Sequence, residues 1–569
     1  MTRALAAALS ALEAARSQYG PGCAARVEKL LASLRDETFA DAESLIAFHD
    51  ALLFLRAFPQ SRKVVILTEA LLGGIGQQVR RLRDSDADLD LFDSEEFSGI
   101  AGTEIRDTFT YEVARWLASN SAHDLRVEWD LEEQYKQVWS SLPRYVPLLA
   151  DDCLVEADTP YLEWLSNAAS GANRILPWLM QRLEQSSGDM LAKTAWYDAL
   201  KIEIAWELGE SSASRTRARR NPPDPYYHKS PLIRRNQVSL EAELSAAPLS
   251  VRKLSRREGE QVMDLVRAVL TVRYRELYGT TRGDAEQVVE ADVGRGVHIF
   301  LWGLPPERRL PLRAYYAGLT VKNGVPINYI EGIGLCEWME VGFNTFYAFR
   351  EGETAWIYAK VLHLLNQVAG VTCFSVYPYQ IGQDNEEAIK SGAFWFYRKL
   401  GFRPGKPELL ALTEREEARI AKTPGYRTPA RTLRKLAAEH VFYEIGDGPR
   451  GLWDRFATRN IGFAVQRRMA EKFKGDPGKM RQKTSEWLAG LLDIDLDAWS
   501  ALEQSAFADF ALVLTLASEV KGWSSREEER LAEIIRAKVG ATEAEYLRAM
   551  QGHEKLKQTM VRLGSVDRG

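Results

Sequence analysis

The stretch SGAFWFYRKLGF, residues 391–402, decides how the middle of this sequence folds. Four aromatic residues occupy positions 394–397, and a basic pair, a leucine, a glycine and another phenylalanine follow them. Aromatic side chains bury large apolar areas, so the pattern predicts a short helix whose aromatic side lies in a core. Tyr397 also carries a hydroxyl group, and we expect it to reach a cleft.

Short segments rich in β-branched and aromatic residues predict a sheet upstream of this helix. They are LSVRKL, VHIFLWGL, LRAYYAGLTV, INYIEGIGL, VGFNTFYAF and TCFSVYPY. Two helices interrupt them. A capping box of Ser255 and Glu258 opens the first, which is predicted to end at Gly279, and the second, ETAWIYAKVLHLLNQVA, ends at Gly370.

The composition describes a folded protein of several domains. The 569 residues exceed what one hydrophobic core usually supports, and 46% of them are apolar. A net charge of -5 gives no overall electrostatic reason to bind nucleic acid or an anionic membrane. No uninterrupted apolar run approaches the ~20 residues that a membrane helix needs. The four cysteines show no paired spacing, which indicates neither a zinc site nor a disulfide framework and favours a cytoplasmic location.

The periodicity divides the chain into four segments. Residues 1–211 and 409–569 show apolar spacings of three and four, so each is predicted to form an all-α domain. Residues 212–245 are rich in Arg, Pro and Ser and predict a linker. Residues 246–408 hold the predicted strands and the helices between them. The predicted fold class is therefore α+β, a central mixed sheet with helices, flanked by N- and C-terminal all-α domains.

The central segment resembles the GNAT (N-acetyltransferase) superfamily in the order of its elements and in two local motifs. The last helix of that family commonly closes with Tyr, any residue, Lys, Leu, Gly and Phe, and the same order stands at positions 397–402. The family's Asn, two residues, Ala element is present as Asn385 and Ala388. The resemblance implies that two neighbouring strands, VGFNTFYAF and TCFSVYPY, part to admit the pantetheine arm of an acyl-CoA.

The same resemblance implies where the donor binds. The coenzyme pyrophosphate is expected at the start of the helix that follows the first of these strands, because N–H groups at a helix start favour an anion. The donor-binding residues implied in this way are Arg350, Gly352, Thr354, Ala355 and Asn385.

Two residues are candidates for proton transfer. Tyr397 matches the family's general acid, and a phenol with an ordinary pKa near 10 can protonate a thiolate of similar basicity. Glu340 is the candidate general base because it lies closest to the predicted point of strand separation, with Glu331 and Glu337 as alternatives.

The aromatic residues of VGFNTFYAF have two interpretations. Phe343, Tyr347 and Phe349 are predicted to share one face of their strand, by its period of two. They line a substrate channel, or they fill the core of the sheet.

The sequence supports two main hypotheses about function. The first is an N-acyltransferase that moves an acyl group from acetyl-CoA or another acyl-CoA to the amine of a small molecule or peptide. The alternative is a non-catalytic helical interaction protein with a degenerate GNAT-like domain. Glu353 motivates the alternative, because it stands where the family carries a glycine. A carboxylate about 5 Å from a phosphate costs ~3 kcal/mol at an effective dielectric of 20.

Two charged clusters are weighed as further binding sites. The acidic run DSDADLDLFDSEE has EF-hand spacing, but Leu89 replaces the glycine of the sharp turn, so a solvated loop is favoured and no metal site is predicted. A basic cluster with two tyrosines would suit RNA, although the acidic chain makes nucleic acid the less favoured partner. Its arginines are Arg215, Arg217, Arg219, Arg220, Arg234 and Arg235.

Overall fold

The structure is a computed structural model, and its residues fall into two units by their contacts. Unit 1 comprises Met1–Pro231, Glu260–Arg282 and Lys322–Pro326, and unit 2 comprises Leu232–Gly259, Gly283–Val321 and Ile327–Gly569. The structure describes residues 3–85, 87–121, 124–129, 138, 141, 145–146, 161–221, 224–446 and 450–565.

Unit 1 is mainly helical. Side-chain caps begin several of its helices: Asp41 accepts from the Ser44 N–H at 2.8 Å, and Ser61 accepts from the Val64 N–H at 3.1 Å. The helices of the first segment are α1 (Arg3–Arg16), α2 (Cys23–Ser33), α3 (Ala42–Ala57), α4 (Arg62–Gly73), α5 (Ile75–Asp84), α6 (Tyr111–Asn120), α7 (Tyr161–Ala169), α8 (Ile175–Gln185) and α9 (Met190–Ala199).

A three-stranded antiparallel sheet also belongs to unit 1, so the segment 1–211 is not purely helical. Its order is β1–β3–β2, with β1 (Glu104–Asp107), β2 (Leu125–Glu128) and β3 (Glu203–Glu207). These strands have only four or five residues and carry several charged side chains, so they show no clear alternation of apolar and polar residues in the sequence. The central strand places Trp206 in the core, edge-on to Trp116.

Unit 2 is organised around a nine-stranded mixed sheet. The strand order is β11–β12–β10–β9–β8–β7–β6–β5–β4, and β9 and β10 run parallel. The strands are β4 (Ser250–Lys253), β5 (Val289–Asp292), β6 (Val297–Trp302), β7 (Ala314–Lys322), β8 (Val325–Leu335), β9 (Trp338–Thr345), β10 (Cys373–Val376), β11 (Arg403–Pro404) and β12 (Val441–Glu444).

The remaining helices all follow β3 along the chain. They are α10 (Leu240–Leu244), α11 (Arg256–Thr271), α12 (Tyr278–Thr281), α13 (Thr354–Ala369), α14 (Pro378–Ile381), α15 (Glu386–Ser391), α16 (Ala393–Arg398), α17 (Pro407–Lys422), α18 (Ala430–Leu436), α19 (Thr458–Phe473), α20 (Pro477–Leu492), α21 (Ala501–Leu514), α22 (Ser525–Ala537), α23 (Glu543–Gln551) and α24 (Glu554–Gly564).

The α+β prediction with a mixed sheet is confirmed. The capping box before α11 is present, and hydrogen bonds from Ser255 followed by one from Arg252 lower the pKa of Glu258 to about 2. Helix α13 ends at Gly370, which has the predicted left-handed conformation with φ 71°. Helix α11, however, ends at Thr271 rather than at Gly279.

The C-terminal segment contributes a strand, so it is not purely helical either. Strand β12 inserts between β11 and β10 and pairs antiparallel with both. Its four residues stand alone between helical patterns, and only the long-range pairing with β10 identifies them as a strand. Among the described residues, no helix combines the length and apolar character needed to cross a membrane.

Candidate active site at the divergence of two strands

Strands β9 and β10 pair over only three residues. The Cα partners are Trp338 with Cys373, Met339 with Phe374, and Glu340 with Ser375. Strand β9 continues to Thr345, whereas β10 ends at Val376 and the chain turns into α14. The pairing therefore stops at Glu340, and the second half of β9 has no β10 residue opposite it; we call this interruption of the sheet the gap.

The side chain of Gln380, from α14, occupies this gap. Its Oε1 accepts the Phe343 backbone N–H at 3.5 Å, which is a long hydrogen bond, and the Tyr397 hydroxyl at 3.2 Å. Its Nε2 would lie 2.8 Å from a Cβ placed on Gly342. The absence of a side chain at Gly342 thus makes room for the carboxamide.

Tyr397 lies on α16 with its ring packed edge-on against Tyr358 and Phe402. The residue is 5% exposed, and burial raises the pKa of Tyr397 well above its ordinary value of 10. The phenol is therefore protonated at neutral pH, but in this buried state it is a weaker acid than the sequence argument assumed, and its pKa no longer matches that of a thiol.

Glu340 forms a close pair with a histidine. The His440 Nε2 lies 2.7 Å from the Glu340 Oε2, and both side chains are partly exposed. His440 directly precedes β12, whose first residue Val441 pairs with Val376 at the end of β10. The sheet register thus brings together two residues that are 100 positions apart in sequence.

One exposed tyrosine contacts this pair, and a second lies two residues further along the chain. Tyr377 is 49% exposed and meets the His440 ring edge-on at 5.5 Å, and Tyr379 is 52% exposed. Apolar side chains that cluster on a surface often mark a binding site. The pair thus lies at a rim that offers both an apolar surface and a polar group.

The loop that the resemblance implies as the pyrophosphate site carries Arg350, whose positive charge is already balanced by a glutamate. The Arg350 guanidinium is paired with Glu387 and lies 3.8 Å from the centre of the Tyr347 ring. The Tyr347 hydroxyl donates to the same carboxylate at 2.8 Å. Strand β9 ends at Thr345, so Tyr347 lies in a 3-10 turn (Tyr347–Phe349) and does not share a strand face with Phe343.

The next residues of this loop form the start of α13. The Gly352 N–H donates to the Phe349 carbonyl at 2.9 Å, the Thr354 hydroxyl donates to the Arg350 carbonyl at 3.3 Å, and Ala355 is buried. The Ile357 N–H makes the first hydrogen bond of the helix at 3.0 Å. Residues 354–356 therefore present N–H groups without intrahelical partners, as at any helix start.

Glu353 is turned into the protein. It is 0% exposed, is paired with Arg295, and accepts the Ile233 N–H at 3.1 Å. The Arg295 charge offsets the carboxylate, so Glu353 does not present an isolated negative charge to an anion at the helix start. The sequence gives no sign of this partner, which is 58 positions away.

Asn385 caps a short helix. Its Oδ1 accepts the Ala388 N–H at 3.0 Å, which begins α15. This hydrogen bond explains the spacing of Asn385 and Ala388 as a local feature of the chain.

The alternative candidate bases are engaged elsewhere. Glu331 accepts from the Tyr315 hydroxyl. Glu337 accepts from the Trp453 indole N–H at 3.1 Å and lies 3.8 Å from the Lys557 ammonium. Of the three glutamates considered from the sequence, Glu340 is the one placed where the strands separate.

The charged clusters of unit 1 make internal contacts. Arg215 is buried, donates to the Glu96 carbonyl at 2.6 Å, and has its pKa lowered by burial to about 10. Arg217 and Arg219 are paired with Glu210 and Glu69. In the acidic run, Asp86 lies outside the described residues, and no group of three or more metal-ligating side chains exists within the part of the chain that the structure describes.

Sequence reasoning did not identify Gln380 or His440 as site residues. The sequence does contain a strand signal next to His440, the short β-branched and aromatic run VFYE that directly follows it. The prediction of an all-α segment overlooked this run. Gln380 carries no such signal, because its role depends on where α14 turns. Comparison of the sequence and the structure with protein-family models, curated proteins and solved structures finds no match.

Proposed function

We propose that the protein is an N-acyltransferase that transfers an acyl group from acetyl-CoA or another acyl-CoA to an amine. The observation that carries this proposal is the three-residue pairing of β9 and β10, which leaves the backbone of β9 available beside a buried phenol. An extended arm with amide groups can add to such an edge by main-chain hydrogen bonds.

The donor enters the gap when the Gln380 carboxamide moves aside. The Phe343 N–H that Gln380 now occupies is then released to an amide carbonyl of the pantetheine arm. The pyrophosphate lies against the start of α13, where the helix dipole and the N–H groups of residues 354–356 favour negative charge. Arg350 contributes its charge when it exchanges Glu387 for phosphate.

The reaction is a direct attack of the acceptor amine on the thioester carbonyl. The C–N bond forms, the C–S bond breaks, and the amine nitrogen loses a proton to the Glu340–His440 pair. Because Nε2 of His440 faces Glu340, Nδ1 is the ring nitrogen that meets the acceptor. Movement of Gln380 opens the gap and removes part of the burial that raises the pKa of Tyr397, and the phenol then gives its proton to the departing thiolate. Holding both reactants in one gap supplies much of the rate.

Calorimetric titration of the full chain with acetyl-CoA, and separately with longer acyl-CoAs, tests the proposal. We expect one equivalent of a thioester to bind and a panel of amines to be acylated. Absence of both heat and thermal stabilisation with every thioester would overturn it.

A second candidate function is a non-catalytic interaction protein that retains a closed donor site. Three observations favour it: Gln380 fills the gap, Tyr397 is buried, and the Arg350 charge is compensated. This candidate predicts that removal of the Gln380 side chain gives no thioester binding. It also predicts that Tyr397→Phe leaves cellular function unchanged.

A further inference from the structure

We propose that unit 1 contains a separate binding site for a small organic cation, an ammonium group carried on a short apolar body. The site is a cavity between the end of β1 and the end of α9. It is independent of acyl transfer, since every residue used below belongs to unit 1.

The cavity has a volume of about 180 Å³. A cavity of ~150 Å³ is large enough to bind benzene, so this volume suits a small organic molecule better than a single ion. Thr108, Phe109 and Thr110 line it from the segment after β1, and Tyr197, Asp198 and Lys201 line it from the end of α9.

The Tyr197 hydroxyl is the observation that points to a ligand. The residue is 1% exposed and lines the cavity, yet among the described residues its hydroxyl has no hydrogen-bond partner. A buried hydroxyl without a partner is costly, so a ligand that donates a hydrogen bond to it gains affinity. The aromatic ring also offers a surface to a cation.

Two carboxylates give the cavity its negative character. The Asp198 Oδ1 accepts the Tyr111 N–H at 3.0 Å, and the Glu276 oxygens accept the Thr110 N–H at 3.1 and 3.3 Å. Burial raises the pKa of both acids, and their charges add to the rise in the pKa of Tyr197. A bound cation lowers the cost of keeping these charges together.

The nearby basic groups do not cancel this character. Arg282 lies 3.3 Å from Glu112 in an ion pair, and Lys201 lines the cavity but is exposed, so solvent weakens its competition for the carboxylates without removing it. Phe109 and Ile202 line part of the cavity with apolar side chains. A bare metal ion or another inorganic ion gains nothing from contact with them, whereas an organic ligand does. An anion would face the Asp198 carboxylate, which lines the cavity, and would lie near Glu276, which is hydrogen-bonded to the lining residue Thr110. The charge distribution therefore selects an ammonium with a hydrocarbon body.

A second, open groove begins at the residue before Thr108. It measures about 730 Å³ and is lined by Asp93, Glu104, Arg106, Asp107 and Tyr274. Three of its five lining residues are acidic. A negatively charged groove next to the cavity raises the local concentration of cations and repels anions.

Calorimetric titration of the full chain at pH 7.5 with benzylammonium chloride tests the inference, with benzyl alcohol and benzoate as matched neutral and anionic probes. We expect one equivalent of benzylammonium to bind to the chain and each control to bind at least tenfold more weakly. Equal binding of the alcohol, stronger binding of benzoate, or no binding of benzylammonium would overturn the proposal.

Two variants with opposite expected effects sharpen the test. Asp198→Asn keeps the oxygen that accepts the Tyr111 N–H and removes the charge, so benzylammonium affinity falls at least tenfold. Lys201→Gln removes a competing cation from the wall, so affinity rises severalfold. Thermal unfolding of both variants shows whether they fold. If Asp198→Asn does not fold, the Lys201→Gln result decides alone, and unchanged or weaker binding by that variant contradicts the proposal.

Discussion

The Tyr397 hydroxyl donates to the Gln380 Oε1 at 3.2 Å, and the same oxygen accepts the Phe343 N–H at 3.5 Å. A single carboxamide thus connects α16 to the part of β9 that does not pair with β10. Its removal affects two elements at once, and this makes Gln380 the residue on which donor binding is most directly tested.

Gln380→Ala is expected to strengthen the binding of acetyl-CoA by about tenfold. The alanine frees the Phe343 N–H and empties the gap, at the loss of hydrogen bonds worth about 1 kcal/mol. Calorimetry of the variant against the wild-type chain measures the change. Weaker binding would mean that the carboxamide holds the donor instead of blocking it.

Gly342→Ala is expected to have the same direction of effect by a different route. The new methyl group would lie 2.8 Å from the Gln380 Nε2, the end of a flexible side chain that can move away. Gly462→Ala is a matched control, because nothing lies within 4 Å of its Cβ in α19. The control should gain up to about 1 kcal/mol in stability and leave acetyl-CoA affinity unchanged.

Glu340→Gln is expected to lower kcat about a hundredfold, because a neutral amide cannot take up the amine proton through His440. His440→Asn should cost a similar factor, and the double variant no more than either single one, since the two residues act as a unit. Steady-state kinetics with a fixed amine measures all three. Additive losses would show that the residues act separately.

Glu353→Gln is expected to destabilise the protein by about 3 kcal/mol. The change removes the buried charge of Glu353 and breaks its ion pair with the Arg295 guanidinium. Glu387→Gln, which breaks the half-exposed pair with Arg350, should cost no more than about 1 kcal/mol. Urea unfolding followed by tryptophan fluorescence compares the two. Equal effects would show that Arg295 finds another counter-charge.

The pH dependence of stability should change in Asp198→Asn. Burial raises the pKa of Asp198 above its ordinary value of 3.8, so the folded chain binds the proton more tightly than the unfolded chain does. Stability from this group is therefore present at low pH and is lost as the pH rises through the folded pKa. The variant should be more stable than the wild-type chain at pH 7 and equal to it near pH 3. Thermal midpoints at the two pH values check the sign.

Local chemistry in the sequence predicts part of the fold of the central segment, residues 246–408. The turn at Asn323 and Gly324 joins β7 and β8, both residues have positive φ, and the cap at Ser255 begins α11. These features depend on neighbours within a few positions. A capping box of Ser524 and Glu527 likewise begins α22.

The arrangement of the candidate site depends on distant residues and is not visible in the sequence. The pairs Glu340–His440 and Glu353–Arg295 join residues 100 and 58 positions apart. Each requires the sheet register to be known first, and the short strand β12 that places His440 lies in a segment with helical spacing on both sides.

Unit 1 is built from three separate segments of the chain, which affects how it folds during synthesis. Its core includes Val272, whose carbonyl accepts the Ser98 hydroxyl at 2.8 Å, and its last segment ends at Pro326. A nascent chain that has reached only Pro231 lacks both parts, although it already contains most of the apolar residues of that core. Part of the apolar surface of this core therefore stays uncovered until residues 260–282 have been synthesised, and exposed apolar surface of this kind favours aggregation.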